Sequence, residues 1–274
     1  MFAEISSAVS NLCYISFTSL HAAPLTLGAR LRTPTGTGPH PAVIILHDRQ
    51  GPSEREGAYA QALNAAGFVT LEPDHVSPRG ATGSVPTVHQ TLPDLFGARA
   101  FLDCRADVDS SRIGVLGFGQ GGAAVLLSST LSISQAFAED GGFSGFLSFY
   151  PVCHVFNRTP GYEFEGLVAA PIMIATASLD EFDNDPAAGP DLAAALPALD
   201  RAKVRTAVFY GVHHGFDVPG GVGKVEDPTA HRGAGGHVTT TYDPEAAIRA
   251  HGLAVLFFSE MRPKSSRLRS DNYY

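Results

Sequence analysis

Apolar and polar residues alternate in two short segments near the start of the chain, 12–18 and 25–32. A period of two places every second side chain on the same face, as in a half-buried β-strand. The segment 42–46, in contrast, is continuously apolar, which is typical of a short strand covered on both faces. The pattern therefore predicts an antiparallel strand pair that leads into a buried, parallel sheet.

Beyond residue 46, apolar segments of strand length alternate with longer segments in which apolar residues recur at helical spacing. Helices are predicted at 54–66, 88–104, 120–129, 189–201 and 244–261, and further strands at 68–71, 112–116, 143–150, 172–176 and 204–210. Strands that alternate with helices form a mostly parallel sheet with helices on both faces. We therefore expect one α/β domain over 1–274, with flexible ends at 1–11 and 262–274, and a ligand site beyond the carboxyl ends of the strands.

Composition and charge exclude several classes of partner. The net charge of −8 offers no attraction to a polyanion, so we expect no nucleic acid partner. No continuous apolar run reaches the length of about 18 residues that a membrane span needs. The chain has no Lys or Arg before Arg30 and no signal-peptide pattern, so a cytoplasmic location is expected. The expected partner is a small-molecule substrate, and the expected assembly is a monomer or homodimer.

Three cysteines, Cys13, Cys104 and Cys153, form neither a disulfide framework nor a zinc-binding spacing, and we expect all of them to be reduced. His231 and His237 raise the question of a metal, but they lack acidic or cysteine companions at ligand spacing. The sequence therefore predicts no metal site and no cofactor.

The strongest motif covers residues 114–122, with the sequence Gly-Val-Leu-Gly-Phe-Gly-Gln-Gly-Gly. A strand that runs through a sharp turn into a helix is the setting of a nucleophile elbow, G-x-Nuc-x-G. The central position, which carries the nucleophile in such elbows, is Gly119. Taken alone, the motif also fits a glycine-rich turn that binds phosphate at the start of a helix.

Two later segments favour the elbow interpretation. Asp180 follows one predicted strand, and His214 follows another in the sequence His-Gly-Phe. The chain order of elbow, acid and histidine is that of α/β-hydrolases, and it differs from the order in chymotrypsin and subtilisin. Neighbouring side chains stay open as alternatives: His213 for the histidine, and Asp183 or Asp185 for the acid.

With these motifs in order, the chain resembles the dienelactone hydrolase family of the α/β-hydrolase superfamily over roughly residues 25–260. Residues 117–122 fall on the family's elbow pattern G-[FY]-C-x-G-G, and residues 214–216 fall on its H-[SGA]-F pattern. Asp180 falls on the family's acid, and Asp48 falls on an acidic residue that the family carries after its third strand. The resemblance implies the α/β-hydrolase fold and a small carbonyl, lactone or polyketide-like substrate.

The departure from the family is Gly119, because the family attacks a lactone carbonyl with a cysteine thiolate at this position. Glycine keeps the elbow's strained backbone but cannot form an acyl-enzyme. The backbone N–H of Gln120, with an N–H from the 48–50 loop at Arg49, is expected to form an oxyanion hole. A His214 base oriented by Asp180 then suits elimination, cyclisation, isomerisation or direct attack by water.

Other side chains at the same edge of the sheet are candidates for substrate contact: His47, Asp48, Arg49, Tyr150, Cys153, His154 and Phe216. Arg49 is best suited to a carboxylate. Cys153 is either a structural thiol or a displaced nucleophile, although no elbow holds it. Weaker candidates for the same edge are His75, Arg79 and Tyr242.

Three functions fit this sequence. In the first, the chain is an enzyme of the dienelactone hydrolase type that uses no nucleophile at position 119, and His214, oriented by Asp180, acts as its base. Alternatively, it is an ordinary dienelactone hydrolase or carboxylesterase in which Gly119 is an engineered replacement, or a non-catalytic protein that binds a small ligand.

Overall fold

In the part of the chain that the computed structural model describes, residues 11–80, 85–138 and 142–263, eight strands form one sheet. They are β1 (Asn11–Thr18), β2 (Thr26–Thr33), β3 (His40–Leu46), β4 (Val69–Pro73), β5 (Val108–Phe118), β6 (Phe146–Phe149), β7 (Ile172–Ala177) and β8 (Val204–Phe209). Their order across the sheet is β1-β2-β4-β3-β5-β6-β7-β8. β2 is antiparallel to β1 and to β4, and all other neighbours are parallel.

Helices cover both faces of this sheet. The helical segments of the described residues are α1 (Glu54–Ala65), α2 (Val88–Asp103), α3 (Gln120–Ser128), α4 (Leu131–Phe137), α5 (Ala188–Ala194), α6 (Ala198–Arg201), α7 (Ala230–Gly233), which packs on β10 (Gly236–Thr241), and α8 (Pro244–Ser259). α1 packs against α8 on one face, and α2 packs against α3 on the other. The arrangement confirms the predicted fold class, a mostly parallel central sheet with helices on both faces. None of the described helices is long and apolar enough to cross a membrane.

The central strands are buried on both faces, as the apolar run 42–46 predicts. Ala42, Ile44 and Leu46 enter the core cluster on one face of the sheet. Val43 and Ile45 enter the cluster on the other face. Each fully buried aliphatic side chain contributes about 1.5–3 kcal/mol relative to an exposed one, so β3 and its neighbours form a rigid platform whose carboxyl ends hold the loops of the site.

Local sequence signals determine where the main helices begin. The hydroxyl of Ser53 and the carboxylate of Glu56 form a capping box at the start of α1, and Thr87 and Gln90 form another at α2. Such side chains satisfy backbone N–H groups that have no partner in the first turn. The cap at Ser53 fixes where the chain leaves the 47–53 loop, which carries part of the site.

Three parts of the chain differ from the sequence prediction. The helix predicted at 189–201 is two helices, α5 and α6, because Pro197 between them cannot donate a helical hydrogen bond. The predicted 211–243 loop contains an antiparallel hairpin of two strands, β9 (Val222–Asp227) and β10 (Gly236–Thr241). The short helix α4 was not predicted from the sequence. The predicted flexible ends lie outside the described residues, except that Asn11 begins β1 and that 262 and 263 follow α8.

Candidate active site

β5 ends at Phe118, and the chain turns sharply at Gly119 before α3 begins at Gln120. Gly119 has φ +50° and ψ −114°, a backbone conformation that residues with a side chain rarely adopt. Its N–H donates to the carbonyl of Phe149 on β6 at 3.1 Å, which fixes the corner against the sheet. The turn therefore has the backbone shape of an elbow, and its apex carries no side chain.

The carboxylate of Asp48 fills the space over this corner. Oδ1 of Asp48 accepts hydrogen bonds from the backbone N–H groups of Arg49, at 2.7 Å, and of Gln120, at 2.9 Å. A Cβ atom on Gly119 would lie 2.4 Å from the carboxyl carbon and both oxygens of Asp48. The carboxylate can approach this closely because glycine leaves the space free.

This arrangement corrects the expectation that the amides of Gln120 and Arg49 form an oxyanion hole for the substrate. The amides of Gln120 and Arg49 do converge on one point, but Asp48 occupies that point. A substrate oxygen cannot accept from the same two N–H groups while the carboxylate of Asp48 stays in place. In this conformation of the protein, both N–H groups donate to Asp48.

His214 lies between two carboxylates. Its Nδ1–H donates to Oδ2 of Asp180 at 2.8 Å, and its Nε2 lies 3.6 Å from Oδ2 of Asp48. The other carboxylate oxygen of Asp180 accepts from the backbone N–H of Phe182 at 2.8 Å. The rings of Tyr150 and Phe182 each pack with their centres 4.6 Å from that of His214. Asp180 and His214 follow the adjacent parallel strands β7 and β8, so both lie at the same edge of the sheet.

The charges at this site hold a proton on the imidazole. Burial favours neutral His214, but Asp180 and Asp48 outweigh it and raise the pKa of His214 to about 10. Burial likewise favours the protonated form of Asp48, but His214, Arg55 and the Gln120 amide outweigh it and hold the pKa of Asp48 well below its ordinary value. A base must be neutral before it accepts a proton, so His214 can act as one only after a neighbouring carboxylate loses its charge.

A buried polar network lies beneath the site, and the sequence analysis missed it. The hydroxyl of Tyr150 donates to Asp217 at 2.5 Å, and the hydroxyl of Tyr59 donates to the same carboxylate at 2.6 Å. Arg55 donates to the Tyr150 oxygen at 3.0 Å and to Glu56 at 2.7 Å. The network fixes the ring of Tyr150, and through it the position of His214. The sequence feature that could have indicated this network is the spacing of Arg55 and Tyr59, which lie four residues apart on one face of α1.

A cavity of about 180 Å³ opens above Gly119. Asp48, Gln120 and His214 line its polar side. Its other walls are mainly apolar or aromatic, and they include Val152, Val155, Tyr162 and Phe182, none of which the sequence analysis singled out. The cavity therefore suits a small, largely apolar molecule that presents one reactive centre to the polar side.

Several predicted substrate contacts are corrected by burial. Phe216 is fully buried in the core against Tyr150 and Phe209, because the chain turns inward after His214. Tyr150 is 1% exposed, and its hydroxyl points into the network beneath the site. His47 is also buried, stacked on His75 with ring centres 3.6 Å apart. Its Nδ1–H donates to the carbonyl of Asp48 at 2.6 Å, so His47 positions the Asp48 backbone.

Cys153 and His154 line a neighbouring cavity and not the one above Gly119. The backbone N–H groups of both residues donate to the carboxylate of Asp183 at 2.8 Å. Burial, followed by the charge of Asp183, raises the pKa of the Cys153 thiol well above its ordinary value. These surroundings are those of a structural thiol, not of a displaced nucleophile.

The remaining candidates have partners of their own. The guanidinium of Arg49 lines the cavity wall and is paired with Asp227 at 2.9 Å. His213 is directed towards the carbonyl of Leu179 and does not line the cavity above Gly119. The other partnerships are Asp185 with Arg232, Arg79 with Asp94, His231 with Asn184 and the carbonyl of His237, and the backbone of Tyr242 with Gly221. Within the described ranges, no group of three or more His, Cys, Asp or Glu residues is arranged to hold a metal ion.

The sequence profile described as the Dienelactone hydrolase family matches residues 27–262 of this chain. A search of the curated proteins found no match. The matched range contains Asp48, Gly119, Asp180 and His214, so the whole site falls within it.

Solved structures of similar fold include a dienelactone hydrolase-like promiscuous phosphotriesterase from metagenomic libraries, at 16% identity and a TM-score of 0.63, covering 91% of this chain and 98% of that one. Thermogutta terrifontis esterase 2, phosphorylated by paraoxon, has 16% identity and a TM-score of 0.63, with 93% and 96% covered. A dienelactone hydrolase from Anabaena variabilis has 17% identity and a TM-score of 0.57, with 92% and 98% covered. At these identities the likeness shows the fold.

Proposed function

Because this chain belongs to the dienelactone hydrolase family, we propose that it is an enzyme acting on a small lactone or related carbonyl compound without a covalent bond at position 119. The reaction takes place in the cavity above Gly119. His214 transfers the protons, Asp180 orients it, and Asp48 supplies the second carboxylate.

The observation that carries this proposal is the placement of His214 between Asp180, at 2.8 Å, and Asp48, at 3.6 Å, beside an open cavity. A buried imidazole with two carboxylates is costly to maintain unless the charges are paired. Strongly perturbed groups of this kind cluster at functional sites. The same three side chains line or adjoin a cavity whose other walls are mainly apolar or aromatic, as expected of a small-molecule site.

The fit between Asp48 and Gly119 supports a site that works with glycine. An ordinary hydrolase with its nucleophile merely removed would leave an open space and two free amides above the elbow. In this chain, the Asp48 carboxylate occupies that space and accepts from both amides.

The test is turnover of a panel of small lactones and aryl esters by the purified protein. We expect hydrolysis or ring opening of at least one lactone, and a loss of roughly 10²–10⁴-fold in His214→Gln. His213→Gln is the matched control, because this neighbouring histidine does not line the cavity. Equal turnover in His214→Gln and His213→Gln would refute the role of His214. Thermal stabilisation by a lactone without any turnover would instead identify a ligand-binding protein.

A further inference from the structure

The two oxygens of Asp48 have different surroundings. Oδ1 is held by the N–H groups of Arg49 and Gln120, at 2.7 and 2.9 Å. Oδ2 lies 3.6 Å from Nε2 of His214, which is longer than an ordinary hydrogen bond. Asp48 also lines the cavity above Gly119. One oxygen is thus fixed by the backbone, whereas the other is less constrained at the reactive side of the cavity.

The carboxylate also occupies the place of the missing elbow side chain. A Cβ on Gly119 would lie 2.4 Å from Cγ, Oδ1 and Oδ2 of Asp48. A side chain from the loop after β3 therefore reaches the point to which a side chain directly after β5 would project. The partners that serve an elbow nucleophile, His214 with Asp180 and two converging amides, are arranged around Asp48.

We propose that Asp48 is the nucleophile of this enzyme and that its Oδ2 attacks a saturated ring carbon of a strained lactone. The inference rests on the proposed function for the lactone class, and it adds the attacking atom and the bond that breaks. Attack at the lactone carbonyl would need the two amides for the substrate oxyanion, but they already hold Oδ1. Attack at a saturated carbon needs no such donors on the substrate.

In the first step, a bond forms between Oδ2 and the ring carbon while the bond from that carbon to the ring oxygen breaks. The electron pair leaves with the ring oxygen, which becomes the carboxylate of the opened acid. No proton is needed, because a carboxylate is a stable leaving group. Asp48 becomes a neutral alkyl ester, and its carbonyl oxygen, Oδ1, stays on the amides of Arg49 and Gln120.

In the second step, His214 becomes a base. Esterification removes the charge of Asp48, which lies 3.6 Å from Nε2, so the pKa of His214 falls and in this step its proton is released to the water in the cavity. Neutral His214 then takes a proton from a water molecule whose oxygen adds to Cγ of the ester. The negative charge moves to Oδ1, where the amides stabilise it. The bond between Cγ and Oδ2 breaks, and Oδ2 leaves as the product hydroxyl with the proton from His214. The acid proton of regenerated Asp48 returns to His214.

The sum is one lactone and one water giving a hydroxy acid anion and one proton, and the oxygens have a traceable origin. In a single turnover, the product hydroxyl carries the former Oδ2, and the oxygen of water enters the carboxylate of Asp48. The test uses the full-length protein in molar excess over β-butyrolactone in oxygen-18 water. After digestion, we expect one oxygen-18 in the peptide that contains Asp48, none in the peptide that contains Asp180, and none in the hydroxybutyrate.

Oxygen-18 in the hydroxybutyrate of that single turnover would overturn this mechanism and leave the proposed function standing, because the oxygen of water has then bonded to a substrate carbon and not to Cγ of Asp48. Absence of turnover with every lactone would overturn both. A second measurement traps the ester: His214→Gln is expected to accumulate an adduct of one lactone mass on the Asp48 peptide, while His213→Gln does not. Asp48→Asn is expected to lose roughly 10³-fold or more in turnover, and the labelling of the wild-type protein remains decisive if that variant does not fold.

Discussion

The carboxylate of Asp48 occupies the space that a side chain on Gly119 would need, because a Cβ on Gly119 would lie 2.4 Å from the carboxyl carbon of Asp48. The two residues are 71 positions apart in the chain (119 − 48), yet each determines what the other can be. The absence of a side chain at position 119 and the position of the Asp48 carboxylate thus depend on each other.

Gly119→Ser is expected to lower the free energy of unfolding by at least 1–3 kcal/mol, roughly the cost of a side chain in strained backbone space. Displacement of Asp48 from its two amides adds to that cost. In an Asp48→Ala background, the same substitution should cost less, because the clash is gone and only the strain remains. Denaturant unfolding of the four proteins in this cycle measures the difference. An identical cost in both backgrounds would show that the two positions do not interact.

The double variant Gly119→Ser with Asp48→Ala is also expected to gain esterase activity. Removal of the carboxylate frees the amides of Arg49 and Gln120 for a substrate oxyanion, and His214 loses one of its two charged neighbours. Hydrolysis of an aryl ester such as p-nitrophenyl acetate checks this. The single variant Gly119→Ser is the control, and activity equal to or above that of the double variant would contradict the account.

His214 is expected to remain protonated at neutral pH, because Asp180 and Asp48 raise its pKa to about 10. Titration of the imidazole by NMR measures this directly. Asp48→Asn should lower the pKa of His214, since the change removes one of the two carboxylates while preserving the shape of the side chain. A His214 pKa that is the same in the wild type and in Asp48→Asn would contradict the ion pair.

The same ion pair should make stability depend on pH. The pKa of His214 is raised from 6.5 to about 10, so its contribution to folding is fully present below pH 6.5 and is lost as the pH rises towards 10. The free energy of unfolding of the wild type should therefore exceed that of His214→Gln by a margin that shrinks over this range. Chemical unfolding at several pH values measures the margin. A margin that grows with pH would contradict the raised pKa of His214.

Arg55→Met is expected to lower the free energy of unfolding by about 3–5 kcal/mol, because it leaves the buried carboxylate of Glu56 without its ion-pair partner and that of Asp217 without a nearby positive charge. The matched control is Arg205→Met, whose partner Glu260 is 60% exposed, and whose loss should cost about 1 kcal/mol or less. Urea unfolding compares the two. Similar costs for both variants would mean that the network beneath Tyr150 does not support the fold.

Cys153 should react with thiol reagents far more slowly than Cys13 and Cys104. It is buried and its thiol pKa is raised, whereas the other two cysteines are exposed. Mass spectrometry after brief treatment with iodoacetamide distinguishes the three positions. Cys153→Ala should retain lactone turnover, and loss of turnover in a folded variant would restore the thiol as a candidate nucleophile.

Local patterns were enough to predict most of the framework. Alternation and apolar runs located the strands because burial of each face depends on the residues of that strand itself. The glycine pattern at 114–122 indicated the elbow, since glycine is needed wherever strand and helix approach closely. The positions of Asp180 and His214 after predicted strands placed them at the carboxyl edge of the sheet, where the structure brings their side chains together.

Tertiary packing decided what the site contains. The sequence gives Asp48 as an acidic residue after β3, but its approach to Gly119 depends on the spacing of β3 and β5 and on the space that glycine leaves. The link from Arg55 to Tyr150 and Asp217 joins three distant parts of the chain, so the spacing of Arg55 and Tyr59 on α1 cannot indicate which residues are their partners. Hydrophobic periodicity reports which face of an element is buried, whereas hydrogen bonds and charges act over a few ångströms between elements. Their partners are therefore fixed only when the strands and helices have packed.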